Sequence, residues 1–352
     1  MKAVLACYKY GVPLSDPCCY PLGFMYVSSV LKNMGHKVKV LNYNLKEHDF
    51  EKEITGNDAV MFSGFEEFLP LIERDTRICR EKGIKTVLGG ALATFRTSEM
   101  EKIVDSVVVG PGFVDIPTAP YPDYEGFGID EYHRRHEVRY MGVLTAAGCP
   151  FSCNFCSHIG PYQERQLEDV FDEIDFYHAK WKIELIIVND NTLNVHKHRF
   201  MEFCEGMKGR DIAWTAAIRS DRFDEEMCRA AKDSGVNYLL VGIESFMQER
   251  LNKMGKRTKV ADNLRTLDLL EKYKIRYHGN LLLGFDWDSP DSLHKELASM
   301  QMGYNVFPVL YQPFIGAKAK SGISGTERER LSSMFKDYAE GKGMNVYQSK
   351  AA

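Results

Sequence analysis

The sequence has 352 residues, with 45 Lys and Arg against 49 Asp and Glu and a net charge of -4. A chain of this length is longer than one hydrophobic core usually serves, so we expect two domains. The nearly balanced charge provides no broad attraction for nucleic acid or for an anionic bilayer. Small molecules or peptides are therefore the expected substrates.

The N-terminal stretch and the cysteine content bear on location. "MKAVLACYKYG" carries too short an apolar run for a signal peptide, and no segment approaches the roughly 20 apolar residues of a membrane span. The nine cysteines are an odd number, which fits a reducing compartment better than a disulfide framework. We expect a cytoplasmic protein with no membrane span.

Strand and helix patterns alternate over residues 1–115. The strand-like runs are "KAVLAC", "KVKVLNYN", "DAVMFSGF", "KTVLGG" and "DSVVVGPG", and the amphipathic stretches are "GFMYVSSVLKNMG", "LIERDTRICREKG" and "TSEMEKIV". Gly35 and Gly83 stand where helix C-caps are expected. Uniformly apolar runs predict parallel strands covered on both faces. The fold class predicted here is α/β, with a doubly wound, Rossmann-like sheet.

Glycines mark the carboxyl ends of these strands, where sheets of this type bind ligands. At these ends a large flat ligand could lie directly against the backbone. The residues predicted to bind it are Ser63, Gly64, Gly89, Gly90, Gly110 and Gly112. The alternative is that these glycines only form strand-to-helix turns.

The second half of the chain resumes the alternation after a break. Residues 116–140 hold several prolines and the charged run "DEYHRRHEVR", which predicts a linker along the surface. Residues 141–315 alternate six strand patterns with five helical ones. Six units are too few for a closed eight-stranded barrel, so we expect a partial (β/α)6 barrel of the TIM type. Residues 316–352 predict a C-terminal helical tail.

Three cysteines follow the first strand of this second domain in "AAGCPFSCNFCSHIG". Cys149, Cys153 and Cys156 lie on a stretch that Gly148 and Pro150 keep out of regular helix. Structural zinc needs four closed ligands, and only His158 is near enough to be a fourth. An iron–sulfur cube held by three thiolates would leave one iron free to bind a small molecule. Zinc binding and a fortuitous cluster of buried cysteines remain as alternatives.

The spacing Cys149-x3-Cys153-x2-Cys156, with Phe155 before the last cysteine, resembles the signature of radical S-adenosylmethionine (SAM) enzymes. The resemblance implies a 4Fe–4S cluster whose unique iron binds SAM. It also implies cleavage of SAM to a 5′-deoxyadenosyl radical, with an external electron donor such as flavodoxin or ferredoxin.

The same resemblance nominates residues for SAM binding. "VNDNTLN" resembles the segment that receives the methionine amino group, "AAIRSD" supplies a guanidinium for the carboxylate, and "VGIES" and "GNLLLGFD" resemble strands at the ribose and adenine. The implied SAM ligands are Phe155, Asn189, Asp190, Arg219, Glu244, Ser245 and Leu283. Two alternatives are a mutual ion pair of Arg219 with Glu244 and a merely buried strand at "GNLLLGFD".

The first domain resembles the cobalamin-binding domain that precedes the radical domain in one subgroup of this superfamily. The resemblance lies in "YPLGFMYVSSVLKNMGHKVKVLNYN", "VLGGALAT" and "VVVGPG". The Asp-x-His-x-x-Gly motif is missing, since His36 and His48 lie outside any such pattern. Cobalamin would therefore bind without a histidine ligand, or the domain would be an empty scaffold.

The resemblance implies a cobalamin-dependent radical SAM methyltransferase that acts on an unactivated carbon, using methylcobalamin as the methyl carrier. One alternative is a radical SAM enzyme without methyl transfer, which forms rings, rearranges or oxidises, with a vestigial first domain. A third hypothesis is a non-catalytic iron–sulfur or zinc sensor. The substrate cannot be identified from the sequence, and no catalytic residue beyond the cluster ligands is nominated.

Overall fold

The computed structural model describes residues 1–9, 20–110, 114–136, 138–157, 160–299, 303–313 and 315–322. The chain divides into two compact units. Unit 1 comprises Met1–Gly142 with Ile159–Arg165, and unit 2 comprises Val143–His158 with Gln166–Ala352.

Unit 1 contains a five-stranded sheet of order β2-β1-β3-β4-β5. Its strands are parallel: β1 (Lys2–Cys7), β2 (Lys37–Asn42), β3 (Ala59–Ser63), β4 (Lys85–Gly89) and β5 (Ser106–Val107). Strand β1 is buried from its second residue to its end, as expected for a strand covered on both faces. The strand order reverses between β1 and β3, which makes the carboxyl ends of these strands the topological switch point.

The helices of unit 1 include counterparts of the three that the sequence predicted, one of them only four residues long, and three others. They are α1 (Leu22–Asn33), α2 (Phe50–Ile54), α3 (Leu69–Glu81), α4 (Gly90–Phe95), α5 (Thr97–Met100) and α6 (Ile129–Arg135). Gly35 and Gly83 follow α1 and α3 with φ of +80° and +68°, which confirms the predicted C-caps. Helices α2 and α4 span only five and six residues, too few to produce a periodic pattern.

The segment 116–140 is not the surface linker that its composition predicted. Tyr124, Phe127, Ile129 and Tyr132 are all at most 1% exposed, and the Tyr124 hydroxyl donates a hydrogen bond to the carbonyl of Gly142. These apolar and aromatic side chains reach the core of unit 1 from turns and from the short helix α6, so they produce no sustained period in the sequence. The other predicted domain boundaries, those of 1–115, 141–315 and 316–352, stay predictions.

The second sheet, five of whose six strands lie wholly in unit 2, has the order β13-β12-β11-β10-β9-β6. Its strands are β6 (Tyr140–Val143), β9 (Leu185–Val188), β10 (Ala213–Arg219), β11 (Val236–Glu244), β12 (Tyr277–Leu283) and β13 (Val306–Leu310). Two-residue strands, β7 (Ala146–Ala147) and β8 (Gln163–Glu164), lie outside this sheet. Neighbours from β9 to β13 pair in parallel. Because strands adjacent in the sheet are also successive, the predicted fold of a Rossmann-like sheet followed by a partial barrel is confirmed.

The helices of unit 2 are α7 (Leu167–Trp181), α8 (Lys197–Met207), α9 (Glu225–Asp233), α10 (Gln248–Lys253), α11 (Val260–Lys272) and α12 (Pro290–Ser299). The sequence predicted all of these except the six-residue α10. Most of the predicted tail, residues 316–352, lies outside the described residues. Among the helices described here, none has the length and apolar composition needed to cross a membrane.

The strands of unit 2 have one fully covered face and one partly open face. On β10, Trp214, Ala216 and Ile218 are at most 4% exposed, whereas Ala213, Thr215 and Ala217 between them are half-buried. Strand β12 shows the same alternation. The open face carries Arg219 at the carboxyl end of β10, because side chains two apart share a face.

Candidate functional site

Asp190, just beyond β9, fixes the chain ahead of the cysteine loop. One carboxylate oxygen accepts hydrogen bonds from the backbone N–H of Thr145 at 2.7 Å and of Ala146 at 3.0 Å, and the other accepts from the Thr145 hydroxyl. Burial raises the pKa of Asp190 to about 6, although these hydrogen bonds oppose the rise. Both oxygens of the residue nominated for the methionine amino group therefore already hold the entry to the loop. Its neighbour Asn189 is exposed.

The three loop cysteines differ from the other described cysteines in exposure. Cys149 and Cys153 are half-buried and Cys156 is exposed, whereas Cys7, Cys79, Cys204 and Cys228 are buried. Gly148 enters the loop with φ of +72°, a conformation that a side chain would oppose. A cluster of buried cysteines therefore does not describe this loop, and all three thiols are accessible to a ligand.

The thiols also act on one another electrostatically. Desolvation raises the pKa of Cys149 and raises that of Cys156 to about 11, and the nearby Cys153 raises both further. Lys256 opposes the rise at both thiols. Since metals bind thiolates, loading this loop would release protons. In the part of the chain that the structure describes, no group of three or more His, Cys, Asp or Glu side chains is arranged to hold a single metal ion.

Asn154, between the second and third cysteines, holds the loop to its surroundings. Its backbone N–H donates to the carbonyl of Met254 at 2.8 Å and its side-chain amide to that of Lys253 at 2.9 Å. Its own carbonyl accepts from the backbone N–H groups of Lys318 and Ala319 at 2.8 and 2.9 Å. The hydrogen bonds that Asn154 donates and those that its carbonyl accepts therefore position the loop together.

Phe155 packs beside this anchor against a buried group formed by Met254, Phe285, Tyr311 and Ala319. Phe285 stacks on Tyr311 with ring centroids 4.2 Å apart. The aromatic residue that the sequence nominated thus lies at the loop, and one of its observed roles is packing.

Arg219, the last residue of β10, reaches the same loop. Its guanidinium makes two hydrogen bonds to Asp221, at 2.9 and 3.2 Å, and donates to the carbonyl of Lys256 at 2.8 Å. Nη1 lies 3.8 Å from Sγ of Cys153, and Cζ lies 3.9 Å from the ring centroid of Phe151. Two guanidinium nitrogens of Arg219 thus bind both carboxylate oxygens of Asp221, a residue of the protein itself.

Glu244 ends β11 with φ of +62° and pairs with Lys256, whose Nζ lies 2.8 Å from Oε1. A mutual ion pair of Arg219 with Glu244 is therefore not what the structure shows, because Arg219 pairs with Asp221. Ser245 is fully buried, and its hydroxyl donates to the Glu296 carboxylate.

Leu283 lies on the fully covered face of β12 and is 1% exposed. Leu282 is half-buried and packs against the group of residues around Phe155. Leu282 and Phe155 therefore pack against the same buried group, and the nomination of the strand at Leu283 for SAM stays a prediction.

Several charged residues near the site were missed by sequence reasoning. Arg250 forms a buried pair with Asp288, with nitrogen–oxygen distances of 3.0 and 2.9 Å, and Nη1 lies 3.4 Å from the Glu296 carboxylate. Glu296 in turn accepts the backbone N–H of Phe246 at 3.1 Å. Charged residues that lie up to 46 positions apart form no periodic pattern or motif in the sequence. These pairs are therefore recognised only from their burial in the structure.

The glycines at the carboxyl edge of the first sheet fall into two kinds. A Cβ on Gly90, whose φ is +81°, would lie 2.6 Å from Oγ of Ser63, and one on Gly64 would lie 2.7 Å from the Phe68 ring. Gly89 and Gly110 have nothing within 4 Å of the same position. Local packing accounts for the absence of a side chain at Gly64 and Gly90, and a part for either residue in ligand binding stays a prediction. Gly112 lies outside the described residues.

Family models match both halves of the chain. Residues 143–296 match the Radical SAM superfamily and residues 14–115 match the B12 binding domain. Together these models imply three cofactors: a 4Fe–4S cluster, SAM and cobalamin. Three accessible thiols on one loop are the donor set that such a cluster needs.

Curated relatives share part of their length with this chain. An uncharacterized methyltransferase from Pyrococcus horikoshii is 28% identical over 193 residues, which are 53% of this chain and 41% of the relative. The bacteriochlorophyllide d C-12(1)-methyltransferase of Chlorobaculum tepidum is 28% identical over 222 residues, 60% of this chain and 48% of the relative. The chain therefore spans less than half of each of these relatives.

Two solved structures share the fold. The TsrM methyltransferase from Kitasatospora setae, with cobalamin and a 4Fe–4S cluster bound, has a TM-score of 0.71 at 17% identity and covers 88% of this chain and 74% of its own. OxsB with aqua-cobalamin and SAM bound has a TM-score of 0.70 at 16% identity, over 99% of this chain and 57% of its own. These structures show that the fold is shared, and the two family models identify a radical SAM domain over residues 143–296 with a B12-binding domain ahead of it over residues 14–115.

Proposed function

We propose that this protein is a cobalamin-dependent radical SAM methyltransferase that methylates an unactivated carbon. The observation that carries the proposal is the loop of three accessible thiols at the carboxyl end of the first strand of the second sheet, in a chain that also has a B12-binding domain. A sensor would need the thiols alone and would not need a second cofactor domain.

The cluster, when bound, supplies the electron that cleaves SAM, and cobalamin carries the methyl group. The chain's own residues hold and orient these groups. Cys149, Cys153 and Cys156 are the cluster ligands in this proposal, and Asn154 and Asp190 hold the loop that carries them.

The proposed SAM pocket lies beside the loop. Arg219 would bind the SAM carboxylate through the part of its guanidinium that faces Cys153, while its pair with Asp221 keeps that guanidinium oriented. Glu244, which its pair with Lys256 holds in place, would accept a hydrogen bond from the ribose. Asn189, Phe155, Ser245 and the strand at Leu283 complete the proposed surroundings of SAM.

Cobalamin would bind at the carboxyl edge of the first sheet, where Gly89 and Gly110 leave bare backbone. Phe65 and Val109 lie at the same edge with exposed fractions of 45% and 51%. Exposed apolar side chains beside open backbone suit the broad apolar face of a corrin. Ser63 follows Phe62 at the end of β3, at the switch point of the sheet.

Relatives' names support methyl transfer to carbon skeletons, since they include a bacteriochlorophyllide methyltransferase and a hopanoid C-3 methylase. We propose a small molecule or a peptide as the substrate and flavodoxin or ferredoxin as the electron donor. A reducing, cytoplasmic location suits the accessible thiols.

A radical SAM reaction without methyl transfer is the second candidate. It is favoured by relatives named anaerobic magnesium-protoporphyrin IX monomethyl ester cyclase, one of which is 27% identical over 157 residues. Cofactor use distinguishes the two candidates, because only methyl transfer requires SAM in two roles.

The test is anaerobic incubation of the reconstituted, corrin-loaded protein with methyl-labelled SAM and a strong reductant. We expect S-adenosylhomocysteine to form at about one equivalent per corrin, with the label recovered on the corrin, and 5′-deoxyadenosine to form as well. Formation of 5′-deoxyadenosine alone, by a protein that takes up no corrin, would contradict methyl transfer and favour the second candidate.

A further inference from the structure

Lys256 is the one lysine among the buried polar residues of the described chain, with 5% of its surface exposed. A buried ammonium is costly unless it is paired. Its Nζ donates to Oε1 of Glu244 at 2.8 Å. An ammonium has three donors, and within the described residues no second acceptor is recorded for it.

The backbone that carries Lys256 is joined to the cysteine loop. Asn154 hydrogen-bonds the carbonyls of Lys253 and Met254, and the carbonyl of Lys256 accepts from Arg219 at 2.8 Å. Nζ itself lies 5.8 Å from the ring centroid of Phe155, the residue before Cys156. Lys256 is thus held beside the proposed cluster ligands by two separate contacts.

Bare backbone makes room for this ammonium. A Cβ on Gly242 would lie 2.6 Å from Nζ of Lys256 and 3.1 Å from Oε1 of Glu244. Any side chain at Gly242 would therefore displace the pair. The position of Lys256 thus depends on a particular residue of β11 beneath it.

We propose that the positive charge of Lys256, with that of Arg219, raises the reduction potential of the cluster held by Cys149, Cys153 and Cys156. This inference rests on the proposed cluster. Three thiolates concentrate negative charge, and reduction adds one further electron, so nearby cations stabilise the reduced form more than the oxidised form. Glu244 holds Lys256 in place and acts in the opposite electrostatic direction.

The experiment is a redox titration of the reconstituted protein without SAM, followed by the electron paramagnetic resonance signal of the reduced cluster. Each cluster takes one electron from the titrant. We expect Lys256→Gln to lower the reduction equilibrium constant about tenfold, a negative shift of about 59 mV for one electron. Lys256→Arg should restore the wild-type potential, because it keeps the charge.

Two further variants give signed controls. Glu244→Gln should shift the potential in the positive direction, because it removes the opposing charge. Lys253→Gln removes an equal charge three residues away, from a side chain that is exposed and paired with Glu249, and should leave the potential unchanged.

An unchanged potential in an iron-loaded Lys256→Gln would overturn the inference and leave the cluster assignment intact. If Lys256→Gln loses iron and sulfide, the sign of the shift in Glu244→Gln decides the matter, and a negative or absent shift would overturn the inference. Failure of the wild-type protein to take up iron and sulfide would instead contradict the proposed function.

Discussion

The carboxyl edges of the two sheets are built in opposite ways. At the edge of the five-stranded sheet, the open positions are Gly89 and Gly110, where nothing lies within 4 Å of the place that a Cβ would take. At the edge of the six-stranded sheet, buried charges hold one another in place, as in the pairs of Arg219 with Asp221 and of Glu244 with Lys256. The first edge is thus characterised by open space at glycines, and the second by buried charged side chains in fixed orientations.

This difference matches what each edge is proposed to bind. A large flat cofactor needs space and backbone hydrogen-bonding groups, which glycine provides. A cluster and a charged small molecule need fixed charges, which only paired and buried side chains can hold without reorganising. Substitutions at the second edge should therefore have larger effects than substitutions at the first.

The largest expected effect is at the cysteines. Replacing Cys149, Cys153 and Cys156 with Ala should remove all iron–sulfur absorbance and all SAM cleavage, because no other described cysteine is accessible. Cys228→Ala is the matched control, since its thiol is buried and donates only to the carbonyl of Leu269. A triple variant that kept its absorbance would refute the loop assignment.

The second prediction concerns pH and the open face of the six-stranded sheet. A hydrogen bond joins His278 to Tyr238, and burial lowers the pKa of His278 to about 4 from its ordinary 6.5. The unfolded chain therefore binds a proton first as the pH falls, and stability present above pH 6.5 is lost towards pH 4. At 1.36 kcal/mol per unit the loss is about 3 kcal/mol.

Denaturant unfolding of the wild type and of His278→Asn across this pH range measures the effect. The variant should lose less stability than the wild type between pH 6.5 and 4. Asp190, whose pKa is raised to about 6 by burial, acts in the opposite direction, but it is common to both proteins and cancels in the comparison. Equal pH dependence would show that the desolvation of the half-buried His278 does not lower its pKa.

The third prediction tests the oriented charge at the second edge. Arg219→Lys cannot reproduce the planar pair of hydrogen bonds to Asp221 that orients this group, so SAM should bind between about ten and one hundred times more weakly. Titration calorimetry on the iron-loaded variant gives the affinity, with iron content as the control. Unchanged affinity would show that Arg219 serves only the contacts with Asp221 and Lys256.

The fourth prediction separates the two kinds of glycine at the first edge. Gly89 has φ of -122°, which a β-branched residue adopts, so Gly89→Val should keep the fold and lower cobalamin retention several-fold. Gly90→Val should destabilise unit 1 by about 2 kcal/mol even without cobalamin, because of its positive φ and the contact with Ser63.

Chemical denaturation and retention of hydroxocobalamin distinguish the two variants, and the iron–sulfur spectrum should be unaffected in both. Undiminished corrin retention by Gly89→Val would move the cobalamin site away from this edge.

Patterns local in sequence predicted much of this molecule. Apolar strand-like runs that alternate with helical stretches predicted both sheets, and the spacing of the three cysteines predicted the loop. Lys256, Asp288 and Glu296 could not be predicted, since their partners Glu244 and Arg250 are distant along the chain and are brought near only by folding. The buried aromatic residues of 116–140 lie in turns and in a short helix, where they produce no periodic pattern, so composition alone predicted a surface linker there.

The measurement that tests the central claim most directly is a cofactor census after anaerobic reconstitution with iron, sulfide and hydroxocobalamin. The account predicts about four irons, about four sulfides and about one corrin per chain, with both cofactors bound at once. A protein that binds stoichiometric zinc with neither iron nor sulfide, or that takes up the cluster and stays free of corrin, would contradict it.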